Sequence, residues 1–589
     1  MPTHFPLRRW FSGRTQCLRP LTPSMRRLTI LLGVLAGAQL LFLFWLNLTQ
    51  LRYHLGYDAS CDYLRAAEMY RQGKLFPDHW RDTTTSHLDS PVPLAALFLC
   101  FIPDLFTAYG LANCVFLGAL VLFFWLILRE MELALWARFL GISLLLCPNF
   151  VVVINANHLG YASCLLTSMQ SYSGKFVLAF WFVWLWLSLA KRKPLRPGKI
   201  VALAACAAGY FVTGLSSGYF LAAYLLLPAL LTSLLLWLVR EDRRWLLGGH
   251  TALTIGMAAA LVAGKLFAEH VLAFVSKDSE MELIPIGQLA RNLLAALDGW
   301  FALLVALPLT EDVTVFSRDG ILYLFGAAIA LALLGALGIG WCRLIRLIRA
   351  RADGGKAGAP LTPAALGILL LSIIALANLL MLSLLNTRYG NATYEDRYLI
   401  LMYCASMLVF VALLSQSGLR RWLVRALVAA FALCLLVRTA AADAAYTATR
   451  IRTGLMDAIS STAASLPSPV VFTCTVTDEY NLMMRNMRCY DLSHVYKPIR
   501  SGEEDSLTLN ERYCDEADAQ GIAWNDNFDH WGDYIYYDNA GEYAGPITLL
   551  AEPACFEALP DSLRSEFTFY TALNDDLAVY TCNENLLGL

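Results

Sequence analysis

Charge is what this sequence has least of. Of 589 residues, 45 are Lys or Arg and 46 are Asp or Glu, together 15% of the chain, against 58% hydrophobic. A soluble domain carries about a quarter of its residues as charges, so this composition excludes an ordinary water-soluble chain and points to a protein that crosses a membrane many times. The basic residues gather into no broad face, so no nucleic-acid partner is expected. No pair of cysteines has the spacing of a zinc site. The chain also lacks an internal repeat and a long low-complexity segment. The long apolar runs carry almost no charge near their centres, and with no repeat this counts against a transporter or flippase.

What charge there is sits unevenly. Residues 1–27 hold about six Arg and no acid. Residues 440–589 hold roughly two dozen acids against about eight bases. Between them lie apolar runs of bilayer-spanning length near 28–48, 109–128, 137–155, 174–190, 200–217, 219–239, 251–269, 321–341, 364–386, 398–416 and 422–439. The first is followed by no small-residue cleavage site and reads as a retained signal anchor. With about eleven spans, every basic cluster falls on one side: the N-terminus, "KRKPLRPGK" (191–199), "REDRR" (240–244), "RLIRLIRAR" (343–351) and "LRR" (419–421). The positive-inside rule makes that side the cytoplasm and puts the C-terminal region outside.

A twelfth span at 292–309 would put "RLIRLIRAR" outside, so that stretch reads as re-entrant or interfacial. The Pro-interrupted stretch 91–106 reads as interfacial too. The organisation is a basic cytoplasmic N-terminus (1–27), a transmembrane module (28–439) whose outer loop 50–90 holds an amphipathic helix, and an acidic extracytoplasmic α/β domain (440–589). In the last, β-type runs ("PVVFTCTV", "DYIYY", "PITLLA", "DLAVYTC") alternate with helical ones ("DEYNLMMRN", "CFEALPDSLRSEF"). Cys474, Cys489, Cys514, Cys555 and Cys582 lie on the side where disulfides are allowed. Five is odd, so one is left over or pairs with Cys61, and sequence does not give the pairing. Cysteines within the spans read as small apolar packers.

Polar density collects in the outer loops, above all in "GYDASCDYLRAAEMYRQGKLFPDHW" (56–80). Ala59 to Gln72 has helical spacing and Gly73 is a stop signal. Asp58 and Asp62 are four apart and share a face if the helix starts at Asp58. Asp58 or Ser60 would serve equally as a helix cap, and the whole segment as an amphipathic helix on lipid.

This stretch resembles the first extracytoplasmic loop of the GT-C superfamily of glycosyltransferases, which take sugars from polyprenyl-phosphate donors. In its bacterial aminoarabinose and protein-mannosyl branches an Asp follows the first span, and a short helix with Tyr and Ala leads to a Gly. Asp58, Tyr63, Ala66, Ala67, Met69 and Gly73 fit that layout. The family's usual second acid is replaced by Ala59, with Asp62 one turn later, which leaves open which Asp acts. "SHLDSPVPLAALF" (86–98) and "YEDRYLI" (394–400) are similar to the family's His/Pro lead-in to the second span and its late Arg-Tyr motif. The resemblance implies an inverting glycosyltransferase of the cell envelope, working on a glycan, lipid or protein acceptor at the plasma membrane, or else an envelope polysaccharide polymerase or ligase of related fold.

Such transfer needs a base, and a carboxylate at the bilayer edge suits it; Asp58 is the first candidate and Asp62 the second. The leaving phosphate needs cations. Lys265, Arg388 and Arg397 are candidates, with Arg291 and Arg318 behind them, and His87, Glu395 and Asp396 beside them. Lys265 would equally snorkel to headgroups, and Arg397 would equally pair with Glu395 or Asp396. No cofactor is certain; the resemblance admits a divalent ion such as Mg or Mn. The aromatic and acidic run 528–539 would stack on sugars, but a strand packing its rings into a core accounts for it better.

Overall fold

A computed structural model describes residues 22–589 except 78–79, 82–85, 149–160, 168–171, 192–196, 273–282, 307–313, 353–360, 386–387, 390–392, 395, 449, 469, 476, 499–533, 536–545, 560 and 583–589. The chain divides into two compact units, 1–47 with 113–272 and 280–449, and 48–112 with 273–279 and 450–589.

The first unit is helical, and the second also holds the helices at 57–72 and 92–99. Along the chain the helices are α1 (Pro23–Thr49), α2 (Tyr57–Gln72), α3 (Val92–Leu99), α4 (Leu105–Glu130), α5 (Leu135–Leu145), α6 (Tyr161–Leu165), α7 (Ser173–Ala190), α8 (Pro197–Ser217), α9 (Leu227–Arg240), α10 (Arg244–Leu247), α11 (Gly249–His270), α12 (Leu289–Leu303), α13 (Arg318–Ala352), α14 (Pro363–Leu384), α15 (Ile400–Ser415) and α16 (Arg421–Ala448). Ten stretches among the described residues are long and apolar enough to cross a membrane. The sequence expected about eleven. The difference is the run at 137–155, which appears as the 11-residue α5 and then passes outside the described residues. The run 292–309 is α12, 15 residues long and too short to span. A π-helical turn, Ala222–Leu226, precedes α9, with Pro228 just inside it. Proline removes an amide donor, and a wider turn absorbs the loss.

In hydrocarbon no water satisfies a polar group, so the spans satisfy their own. Gln39 Nε2 donates to Thr439 Oγ1 at 2.9 Å and accepts at Oε1 from Ser143 Oγ at 2.8 Å, tying α1, α5 and α16. Asn292 Nδ2 lies 2.8–3.2 Å from the carbonyls of Leu382, Ser383 and Leu385, the bare end of α14. Arg438 donates to the carbonyls of Leu304 (2.6 Å) and Leu322 (3.1 Å), placing a cation at the C-terminal end of α12. α8 and α11 pack closely because Gly214 and Gly264 face each other's backbone; a Cβ would come within 2.1 Å of Leu261 O in the first case and 2.0 Å of Phe211 O in the second.

In the second unit, α17 (Gly454–Ala464) and α18 (Asp478–Tyr490) accompany a five-stranded sheet. Its strands follow three short ones, β1 (Trp80–Arg81), β2 (Arg388–Tyr389) and β3 (Thr393–Tyr394), of which β2 and β3 form a hairpin in the first unit. The sheet strands are β4 (Val470–Cys474), β5 (Val495–Pro498), β7 (Ile547–Ala551), β8 (Thr568–Ala572) and β9 (Ala578–Cys582). The two-residue β6 (Tyr534–Ile535) pairs with β1. The sheet order is β5-β4-β7-β9-β8, with β4 parallel to both neighbours and β9 antiparallel to both of its own. α18 is the crossover from β4 to β5 that a parallel pair requires. A C-terminal α/β domain is thus present, while α16 continues to Ala448, and Cys474, Cys555 and Cys582 belong to the domain's apolar core with Phe472 and Leu549. Most of 528–539 and Cys514 lie outside the described residues.

At the end of α18 the buried Asp491 accepts from Ser493 N (3.1 Å) and Oγ (2.5 Å), His494 Nδ1 (2.9 Å) and Tyr496 OH (2.8 Å). Burial alone would raise its pKa, but the bonds from Ser493, Tyr496 and His494 outweigh it and hold the carboxyl below its usual range.

Two predictions follow from these contacts. Gly264→Val forces a side chain into the Phe211 backbone and should cost about 1–3 kcal/mol, read as a lower melting temperature in nanodiscs. A lowered carboxylate pKa contributes stability above the usual carboxylate range that disappears as pH falls through the lowered value. Asp491→Asn should therefore weaken the protein at pH 7 and flatten its stability loss below about pH 4, measured by denaturant unfolding across pH.

Candidate functional site

α2 begins at Tyr57, capped by the extended Gly56 with no side-chain cap bond, and ends at Gly73. Gly73 is left-handed (φ 65°), and the amides of Gly73 and Lys74 close on the carbonyls of Tyr70 and Met69 at 3.2 Å. Asp58 is thus the second helical residue and not the cap. Ser60 is not the cap either; its Oγ donates to Asn486 Oδ1 on α18 at 2.6 Å. A helix lying on lipid keeps one exposed stripe, yet from Ala59 to Met69 every residue is buried except the half-buried Cys61. α2 is packed within its unit by α3 and α18, and by Phe106 and Tyr109 of α4 against Tyr63.

That burial includes three charged residues at i, i+3 and i+6: Asp62, Arg65 and Glu68. Glu68 is satisfied within the helix by Arg71 (2.8 Å) and Gln72 (3.2 Å). Asp62, 3% exposed, accepts from His87 Nδ1 at 2.8 Å on one oxygen and faces the Tyr109 hydroxyl at 3.4 Å on the other. Arg65 is fully buried beside it. Burial pulls the Arg65 guanidinium down to about 9 while Asp62 pushes it up, so the group is still a cation at neutral pH. His87 itself has a left-handed backbone (φ 53°), and its carbonyl accepts from Ser90 Oγ (2.6 Å) and Ser90 N (3.1 Å).

Of the sequence candidates, Asp62 and His87 are brought together. The side chains of Asp58, Arg388 and Asp396, and all of Glu395, lie outside the described residues. In the first unit Lys265 is paired with Glu269 one turn on, at 3.1 Å, and Arg291 and Arg318 are exposed. Arg397 lies over the rings of Tyr172 (5.9 Å) and Tyr398 (5.4 Å). The buried Lys175 sits over the same Tyr172 ring at 5.0 Å, and among the described residues no carboxylate pairs with it. Sequence reading passed over Lys175, Tyr172, Arg65 and Tyr109. A signal for Lys175 was present: a lone cation in the first turn of the apolar run "SGKFVLAFWF".

Among the described residues no three of His, Cys, Asp and Glu gather as metal ligands. The described surroundings of Asp62 are a histidine, a phenol and a guanidinium, a set unsuited to a divalent ion, and no step below runs through one.

Loss of the buried anion should be costly. Asp62→Ala removes the anion beside the buried Arg65 and the partner of His87 and is expected to cost about 3–5 kcal/mol, seen as loss of folded protein by size-exclusion chromatography, with Asp62→Asn milder.

No family model matches the sequence, and no curated protein matches it. The solved structures that are similar to it include the following two. One is ArnT from Cupriavidus metallidurans bound to undecaprenyl phosphate: 14% identical, TM-score 0.52, covering 94% of this chain and 98% of that one. The other is the oligosaccharyltransferase of Archaeoglobus fulgidus in its apo form: 12% identical, TM-score 0.42, covering 95% of this chain and 74% of that one. Both are GT-C superfamily proteins. At such identities the likeness is one of fold, and the architecture of this chain is GT-C-like: a polytopic helical module followed by a C-terminal α/β domain.

Proposed function

We propose that this protein is a membrane glycosyltransferase that moves a sugar from a polyprenyl-phosphate donor to a glycan, lipid or protein acceptor at the extracytoplasmic face of the plasma membrane. The observation that carries this is the fold match to ArnT along nearly the whole length of both chains, that protein having been crystallised with undecaprenyl phosphate. Sidedness rests on the basic clusters, which put the N-terminus in the cytoplasm and the acidic C-terminal domain outside.

The reaction is a displacement at the anomeric carbon. An acceptor hydroxyl or amine forms the new bond, the bond to the lipid phosphate breaks with its electron pair, and the acceptor proton goes to a base. Attack from the face opposite the phosphate inverts the centre. Asp58 is the proposed base. It stands in the first turn of α2, where the helix dipole favours an anion, one turn before a second acid that is already bonded. Lys175 and Arg397 are proposed to hold the leaving phosphate. Both are cations grouped on one ring.

Reconstituted protein given radiolabelled undecaprenyl-phosphate hexose or aminopentose and a cell-envelope extract should transfer label covalently and release undecaprenyl phosphate. Flux of the lipid across the bilayer without covalent transfer would overturn the reading. Asp58→Asn should abolish transfer and leave insertion intact; normal activity would remove Asp58 from the role. Lys175→Met should weaken undecaprenyl phosphate binding by about 10- to 100-fold, the worth of one charge-assisted hydrogen bond, measured by microscale thermophoresis.

A further inference from the structure

The cluster around Asp62 is built to fix one imidazole. His87 reaches the carboxylate through Nδ1 at 2.8 Å, and that carboxylate is held by the buried Tyr109 on its other oxygen. A quarter of the His87 side chain is exposed, and among the described residues no group bonds its second nitrogen, Nε2. The backbone at His87 is left-handed, a conformation a non-glycine residue keeps only where its surroundings impose it. Here Ser90 holds the carbonyl from one side and Asp62 the ring from the other.

The charges decide what such a ring can bind. Arg65 is a buried cation beside Asp62. The other titratable groups in the cluster are Tyr63, Tyr109 and the buried Asp89, two residues along the chain from His87. A neutral ring with its proton on Nδ1, donated to Asp62, leaves a bare lone pair on Nε2.

We propose that Asp62 is a positioning residue and that His87 Nε2 is a binding residue, accepting a hydrogen bond from a hydroxyl or amine of the substrate or acceptor and not from, or to, a phosphate. This rests on the glycosyl-transfer reading and adds to it. Asp58 remains the proposed base, and His87 orients a group that donates. It also moves His87 out of the phosphate-binding set in which the sequence placed it, because an acceptor nitrogen repels a phosphate oxygen.

The test uses the full chain in nanodiscs with ¹⁵N-labelled histidine, His87 being assigned by its absence in His87→Gln. At pH 7.5 the expected spectrum has one tautomer, Nδ1 protonated and Nε2 bare. Methyl glucoside, a hydroxyl probe, should shift Nε2 and slow carbethoxylation of His87 by diethyl pyrocarbonate at least threefold, and undecaprenyl phosphate should do neither. A doubly protonated ring at pH 7.5, protection by undecaprenyl phosphate, or no response to the hydroxyl probe would each overturn the proposal. Asp62→Asn, where it folds, should give a mixture of tautomers; an unchanged single tautomer would show that Asp62 does not position the ring. If undecaprenyl phosphate fails to bind the protein anywhere, the glycosyl-transfer reading fails while the His87 result stands separately.

Discussion

A carboxylate that is 3% exposed has to be satisfied by the protein around it, and much of the second unit is arranged to satisfy Asp62. The cost of burying an unpartnered charge is several kcal/mol, far more than a single packing contact returns. So α2 must run deep in the unit, α4 must present Tyr109 to it, the loop before α3 must turn through a left-handed His87, and Arg65 must follow one turn later with the opposite charge. Each of these features would be a defect alone. Around one anion they account for each other.

The membrane module answers the same constraint with neutral groups. Asn292 covers three carbonyls at the end of α14, Gln39 links three helices through two hydroxyls, and Asn378 Nδ2 donates to Tyr224 O at the π turn, 2.9 Å away. Amides and hydroxyls satisfy backbone and side chain alike without a charge to desolvate. Arg438 is a charged group in the same module, and its guanidinium donates to the carbonyls that end α12 and begin α13. α12 is therefore fixed at both ends of its buried face, through Asn292 and Leu304, although it is too short to span.

Most of the fold was legible in the sequence because a bilayer reads hydropathy almost directly. A run of twenty apolar residues has few alternatives to a spanning helix, and ten stretches match. The expected run at 137–155 is described only as far as α5 and the few residues after it, since 149–160 lie outside the described residues. β8 was missed because "TFYTA" is exposed along most of its length and carries no alternating pattern. At the site, the helix from Ala59 to Gly73 was readable from its spacing and its terminal glycine. The cap was not, since Gly56 has no side chain to announce it. Tyr109 looked like the apolar start of a span, and its part in holding Asp62 depends on a separation of 47 residues that no local pattern encodes. The same holds for Lys175 and Arg397, which share a ring across more than two hundred residues.

The two polar clusters differ in charge balance, and that difference separates the chemistries they can serve. Around Tyr172 two cations gather, and among the described residues Lys175 has no carboxylate paired with it. On the glycosyl-transfer reading, a lipid phosphate is the anion that such cations would hold. Around Asp62 the cation Arg65 lies beside the carboxylate, and the His87 ring is bonded to it through Nδ1. On the proposal made for His87, its second nitrogen is the group that takes a donor. A reaction that joins a sugar to an acceptor and releases a phosphate has need of both kinds of site, one for the charge that leaves and one for the hydroxyl or amine that stays.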